Sequence, residues 1–204
     1  IAKPEIFTQR LFPRYVSLGS LIYIRLMFAL LCLAVTTSSI LGEGVTLNPP
    51  YLPASKLRKN PIRLKGIKLL FPCTSWCWNL LGISFAFSAY TAWRLGNGET
   101  VSPLILRTSL MLWEMAAPFT LLVAAVTKYA LWPMQLKKSP NHVFKTTRAL
   151  LQHNANVVMA VCEVGLLGGL PVKMGHISLA VLFGVAYVFF TWSIMYQWTP
   201  GKGP

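Results

Sequence analysis

The stretch LIYIRLMFALLCLAVTTSSIL, residues 21–41, decides the fold of this chain. It holds one charged residue, Arg25, and no polar face. A helix that crosses a bilayer needs about 20 mostly apolar residues. A surface helix of a soluble domain keeps a polar side instead. Four further runs of this kind follow: Thr74–Trp93, Leu104–Trp132, Ala149–Leu170 and Ile177–Trp198. Only helices and closed barrels satisfy every backbone polar group in lipid, and barrel strands are shorter and alternate in polarity. The pattern predicts an all-α fold, a polytopic transmembrane helical bundle with five spans at about 21–41, 74–93, 104–132, 149–170 and 177–198. Residues 1–20 form a basic N-terminal segment, expected along the membrane surface, and 201–204 a short C-terminal tail.

Composition agrees. Hydrophobic residues make up 54% of the chain, and the mean hydropathy is +0.54. Five spans in 204 residues leave room for one bundle and no second domain. Nineteen Lys and Arg stand against five acids, all Glu, for a net charge of +14. In a membrane protein such residues meet anionic headgroups, so membrane lipids are the expected partner. Nucleic acid is not, because no basic stripe with interleaved stacking aromatics is present. Cys32, Cys73, Cys77 and Cys162 lie in or beside the runs, as buried thiols rather than a secreted disulfide framework. Cys73 and Cys77 are one helical turn apart, but no nearby His or acid completes four ligands, and no metal is expected. The chain starts at Ile1, which points to a processed targeting segment or to residues that precede it.

The longest connection, Gly42–Pro72, opens with Asn48-Pro49-Pro50 and Pro53 and continues with Lys56, Arg58, Lys59, Arg63, Lys65 and Lys68. The spacing of Ile62, Leu64, Ile67, Leu69 and Leu70 suits a short interfacial stretch. The third connection, Pro133–Arg148, is basic as well, with Lys137, Lys138, Lys145 and Arg148. An excess of Lys and Arg marks the cytoplasmic or equivalent side, which places these two connections together there. Trp76, Trp78, Trp93, Trp132, Tyr196 and Trp198 lie near run ends and read as interfacial anchors.

Charges kept inside apolar runs face the bundle interior and pair. Here they are Arg25, Glu114, Lys128 and Glu163, with Arg107 near an end. Glu114 lies two turns after Arg107 on nearly the same face, so intramembrane pairing is expected among Arg107, Glu114 and Arg25. Lys128 is expected to snorkel. In the fourth run, His153, Asn156 and Glu163 fall within about 80° around the helix axis at 100° per residue. They form an inward polar stripe, with Glu163 buried against Arg25, Arg107 or a Tyr. Thr74, in Phe71-Pro72-Cys73-Thr74-Ser75-Trp76, is the best hydroxyl near the head of a span, and Ser75 is its neighbour and rival. A His within hydrogen-bond reach of a Thr takes its proton as the hydroxyl attacks a carbonyl. At membrane depth such a pair would meet a lipid ester.

The same residues carry a family resemblance over roughly residues 21–200. Phe71-Pro72-Cys73-Thr74, Leu106-Arg107 followed by Ala117-Pro118-Phe119, the ten-residue interval from His153 to Glu163, and Gly184-Val185-Ala186-Tyr187 through Trp192 to Tyr196 resemble the androgen-induced/androgen-dependent family of multipass membrane proteins. That family includes threonine hydrolases that cleave fatty acid esters of hydroxy fatty acids. The resemblance implies a Thr74 nucleophile, a His153 general base and an endomembrane location. It also implies six spans, where five are visible before residue 204; a sixth would follow, or the bundle has lost a helix. Where family members carry Asn and a further His shortly before the catalytic His, this chain has Ala149 and Leu150.

Two functions follow. In the first, the chain is a threonine-type lipid ester hydrolase without a cofactor, in which Asn156 or Asn154 orients the reacting groups or stabilises the oxyanion. In the second, it is a non-catalytic accessory or scaffold subunit of a larger membrane complex. That complex would be organellar or photosynthetic, in an inner or thylakoid membrane, with pigment or lipid bound. A transporter would show an inverted repeat or a pair of broken helices, and neither is visible.

Overall fold

A computed structural model describes residues 3–47, 62–133, 146–173 and 176–198. The chain is mostly helical in these segments. A single turn, α1 (Glu5–Thr8), precedes α2 (Leu18–Leu41), and a two-stranded antiparallel ribbon pairs β1 (Val45–Leu47) with β2 (Ile62–Leu64). A 3₁₀ turn (Gly66–Leu70) leads into α3 (Cys73–Gly96). Next, α4 (Pro103–Ala125) runs on into a π-helical turn, Val126–Leu131. The fourth apolar run folds as α5 (Thr147–Leu150), a second π-helical turn (Leu151–Ala155) and α6 (Asn156–Gly165). The last helix is α7 (Ile177–Trp198).

Helix starts follow local chemistry. The Ser17 hydroxyl accepts from Ser20 N at 3.0 Å to cap α2, Ser102 caps α4 with Pro103 behind it, and Thr146 caps α5. Each supplies an acceptor to one of the four N–H groups that a helix start leaves without a partner.

Among the described residues, three helices are long and apolar enough to cross a membrane: Leu18–Leu41, Pro103–Leu131 and Ile177–Ile194. Helix α3 has the length, 24 residues, but it lies between α2 and α4 and is the most buried of the set. Its interfaces are built from small and polar residues, Gly82, Ser84, Ser88 and Thr91, which let backbones approach closely. A Cβ on Gly82 would sit 2.5 Å from the Cys32 Cβ. The fourth helix stops at Gly165, short of the expected Leu170. The amides of Leu166 and Leu167 turn back to Cys162 O and that of Gly169 to Glu163 O, and beyond the helix end Gly169 takes a positive φ of 65° in the turn that follows.

The core joins Phe7, Trp78, Leu81, Phe85, Leu110 and Trp113 across α1–α4. Phe85 lies edge-on to Phe28, with ring centroids 5.1 Å apart. Trp78 is therefore a core residue and not an interfacial anchor; its indole Nε1 donates to Cys32 O at 3.0 Å. Trp76 is no anchor either, since its ring packs on Phe190 and Tyr187 of α7. Both rings leave the first turns of α3 toward neighbouring helices, so position near a run end does not place them in the headgroups. The N-terminal segment packs onto the helices. It makes one turn, buries Phe7 fully and is held by Leu11 N donating to Leu167 O at 2.8 Å. The expected Pro-rich opening of the long connection and its Lys56, Arg58 and Lys59, the lysines 137, 138 and 145, the side chains of Tyr196 and Trp198, and the tail 201–204 lie outside the described residues.

Candidate active site

Five elements meet around a cavity of about 220 Å³. The ribbon and the 3₁₀ turn give Val45, Leu64 and Leu69; the start of α3 gives Pro72, Thr74 and Ser75. The π-turn after α4 gives Leu131, and the start of the fourth helix gives Thr146, Arg148, Ala149, Gln152 and His153. Thr74 and His153, 79 positions apart in the chain by subtraction of their numbers, thus line one space. Pockets that enclose drug-sized ligands measure roughly 300–1,000 Å³. This cavity therefore suits a reacting group, with the rest of a long ligand lying outside it.

Thr74 is half-buried in the first turn of α3, and its hydroxyl makes no hydrogen bond among the described residues. Pro72, the residue capping this helix, provides no side-chain acceptor. The first N–H groups of α3 accordingly point toward the cavity end of the helix without intrahelical partners, where the helix dipole is positive. Ser75 is not a rival nucleophile in this geometry. It is buried, and its hydroxyl donates to Leu69 O at 2.8 Å. His153 is half-buried, and its Nδ1 lies 3.1 Å from the Thr127 hydroxyl.

The asparagines fall elsewhere. Asn154 is exposed, and its Nδ2 donates to Leu150 O at 3.0 Å. Asn156 is buried, and its Oδ1 accepts from Val157 N at 2.8 Å. Neither lines the cavity. The π-turn over Leu151–Ala155 shifts the helical register just before Asn156, so the uniform 100° step does not bring these side chains to the face of His153.

The expected intramembrane charges sit at the far end of the fourth helix. Glu163 and Arg25 are both fully buried and form a bidentate pair. Nε donates to Oε2 at 3.0 Å and Nη2 to Oε1 at 2.6 Å. The remaining guanidinium nitrogen, Nη1, donates to Phe7 O at 2.7 Å, which leaves the buried cation well satisfied. Glu114 does not pair with Arg107, which is exposed. Its carboxylate accepts from Lys173 N at 3.0 Å and contacts His176 Nδ1. Trp113 Nε1 adds a bond to Leu170 O at 3.1 Å. These groups pin the turn between α6 and α7 to α2 and α4, so both carboxylates serve the fold. Lys128 is exposed, with Nζ over the Tyr129 ring at 5.4 Å.

The Cys73 and Cys77 thiols are 3.9 Å apart and free. Among the described residues, no group of three or more His, Cys, Asp or Glu is arranged to hold a metal ion.

Arg148, Gln152, Thr146 and Thr127 carry no sequence signal that marks a site. Arg148 reads as one more loop cation, and Gln152 as one more polar residue beside His153. Nothing in the sequence links Thr127 to His153. No protein-family model, no curated protein and no solved structure matches this chain.

Proposed function

We propose that this chain is a five-span membrane protein that hydrolyses lipid esters, with Thr74 as nucleophile and His153 as general base. The observation that carries this reading is that Thr74 and His153, from two different helices, line one small, mostly apolar cavity. The resemblance to the threonine hydrolases rests on the same two residues. Helices α3 and α5–α6 supply the second and fourth spans: α3 hides its polar side against α2 and α4, and the fourth helix turns Glu163 onto Arg25.

The Thr74 Oγ1 attacks the ester carbonyl carbon as its proton passes to His153. The oxyanion that forms lies at the start of α3, where unpaired N–H groups and the helix dipole stabilise it. His153 then gives the proton to the departing alkoxide oxygen, and the acyl group stays on Thr74. A water molecule, deprotonated by His153, attacks the acyl carbon, releases the fatty acid and restores the threonine. Among the described residues, Arg148 is the one Lys or Arg lining the cavity. It suits the free carboxylate of a fatty acid ester of a hydroxy fatty acid, because guanidinium and carboxylate form a charge-assisted pair. The acyl chains lie along the lipid-facing helix surfaces, since the cavity holds only the reacting group.

The test is release of fatty acid from a hydroxy-fatty-acid ester by purified protein. Thr74→Ala and His153→Ala should each remove nearly all of the rate while the protein stays folded, because nucleophile and base act as a unit. Thr74→Ser should keep part of it. Wild-type protein that is inactive on a panel of lipid esters, yet stays within a larger complex, would replace this reading with the accessory-subunit one.

A further inference from the structure

We propose that Thr127 is a positioning residue for His153, an inference that rests on the hydrolase reading for its consequence but not for its geometry. Its hydroxyl accepts the Nδ1–H of the imidazole and so fixes the tautomer whose Nε2 takes the Thr74 proton. Four observations carry the proposal. The Thr127 Oγ1 is 3.1 Å from His153 Nδ1. Thr127 is 3% exposed, although its neighbours Val126 and Tyr129 are 44% and 74% exposed, so this residue alone is turned into the bundle. Both partners sit on π-helical turns, Val126–Leu131 and Leu151–Ala155, an irregularity that concentrates at functional sites. The same two turns place Leu131, Gln152 and His153 on the cavity wall.

A threonine inside a helix usually bonds back to a carbonyl of its own preceding turn. Here the hydroxyl reaches across to a second helix. A general base needs a third group that holds its ring and selects its tautomer, and a carboxylate commonly fills that place. In an apolar surrounding an ionised carboxylate is costly unless paired. A hydroxyl selects the tautomer without bringing a charge. It also stabilises the imidazolium less than a carboxylate would, so its removal should cost less than removal of the aspartate of a serine-protease triad.

Two arms test this on the full chain in detergent micelles. The first is ¹⁵N NMR of histidine-labelled protein, with the His153 signals assigned by their loss in His153→Gln. In wild-type protein at neutral pH, Nδ1 should carry the proton and Nε2 should not. Thr127→Val, nearly the same shape without the hydroxyl, should populate both tautomers, and Thr127→Ser should restore one. If Thr127→Val does not fold, Thr127→Ala serves in its place. An unprotonated Nδ1 in wild-type protein, or an unchanged tautomer ratio in the variant, would overturn the proposal. The second arm is kinetic. On a hydroxy-fatty-acid ester, kcat of Thr127→Val should fall roughly 10–100-fold, the usual cost of losing an orienting partner, with KM nearly unchanged and Thr127→Ser largely active. An undiminished kcat would also overturn it. If wild-type protein cleaves no ester while the tautomer follows Thr127 as stated, the hydrolase reading fails and the positioning contact stands.

Discussion

Single residues in this chain divide into those that hold the bundle and those that face the cavity. Arg25 and Glu163 belong to the first group. Replacing Glu163 with Gln leaves the Arg25 charge buried without its carboxylate, and breaking a buried pair in this way costs about 3–5 kcal/mol. A large fall in the thermal midpoint of Glu163→Gln in detergent should show it. Gly168 guards the same pair. A Cβ there would overlap the Arg25 guanidinium and come within 2.6 Å of Glu163 Oε1, so Gly168→Ala should destabilise by about 1–3 kcal/mol through overpacking. Arg148 belongs to the second group. Arg148→Gln should raise KM for an ester that bears a free carboxylate and leave KM for the corresponding methyl ester nearly unchanged. Equal effects on both substrates would remove Arg148 from carboxylate recognition.

At the scale of helices, close approach between α2 and α3 is the controlling feature. Glycine inside a helix costs about 1 kcal/mol relative to alanine, so propensity alone favours Gly82→Ala. The Cys32 Cβ stands 2.5 Å from where the new methyl would lie, and that atom cannot swing aside. The clash should win, and Gly82→Ala should lower stability by about 1–3 kcal/mol. Gly165 has open space around it, so Gly165→Ala should be neutral or stabilising. Equilibrium unfolding of the two variants in the same detergent gives the comparison, and a stabilised Gly82→Ala would mean that the two helices are less tightly apposed. This contact was not legible in the sequence. Gly82 reads as one small residue in an apolar run, and only the rotation of α3 about its axis aims it at Cys32.

For the molecule as a whole, the five-span reading makes a topological prediction. The connection before α3 and the short one after it must lie on opposite sides of the membrane. Lys65 and Asn97 are exposed in these two connections. Lys65→Cys and Asn97→Cys should therefore react with a membrane-impermeant thiol reagent from opposite sides of sealed vesicles, with unmodified protein as the background. Reaction from the same side would mean that α3 does not cross. The cavity lies at the end of the bundle that carries the two most basic connections, since its walls include β1, β2 and Thr146. Opposite-side labelling would thus also place the cavity on the side that the Lys and Arg excess marks.

The sequence by itself determined the helical class, the extent of four of the five apolar helices to within a few residues, and the need to bury Glu163. Length and hydropathy are local properties, and a charge in an apolar run must find a partner wherever the helix goes. The same local reading picked out Thr74 and His153 as candidates, because each stands at the head of a run. Which partner each group takes is decided by the tertiary structure. Arg25 reaches Glu163 rather than Glu114, and Glu114 reaches Lys173 N and His176 rather than Arg107, because these choices depend on how helices rotate and where the α6–α7 turn folds back. The cavity depends on packing too. Two π-helical turns break the 3.6-residue period that sequence reasoning assumes, turning Thr127 toward His153 and leaving Asn154 and Asn156 off the cavity wall.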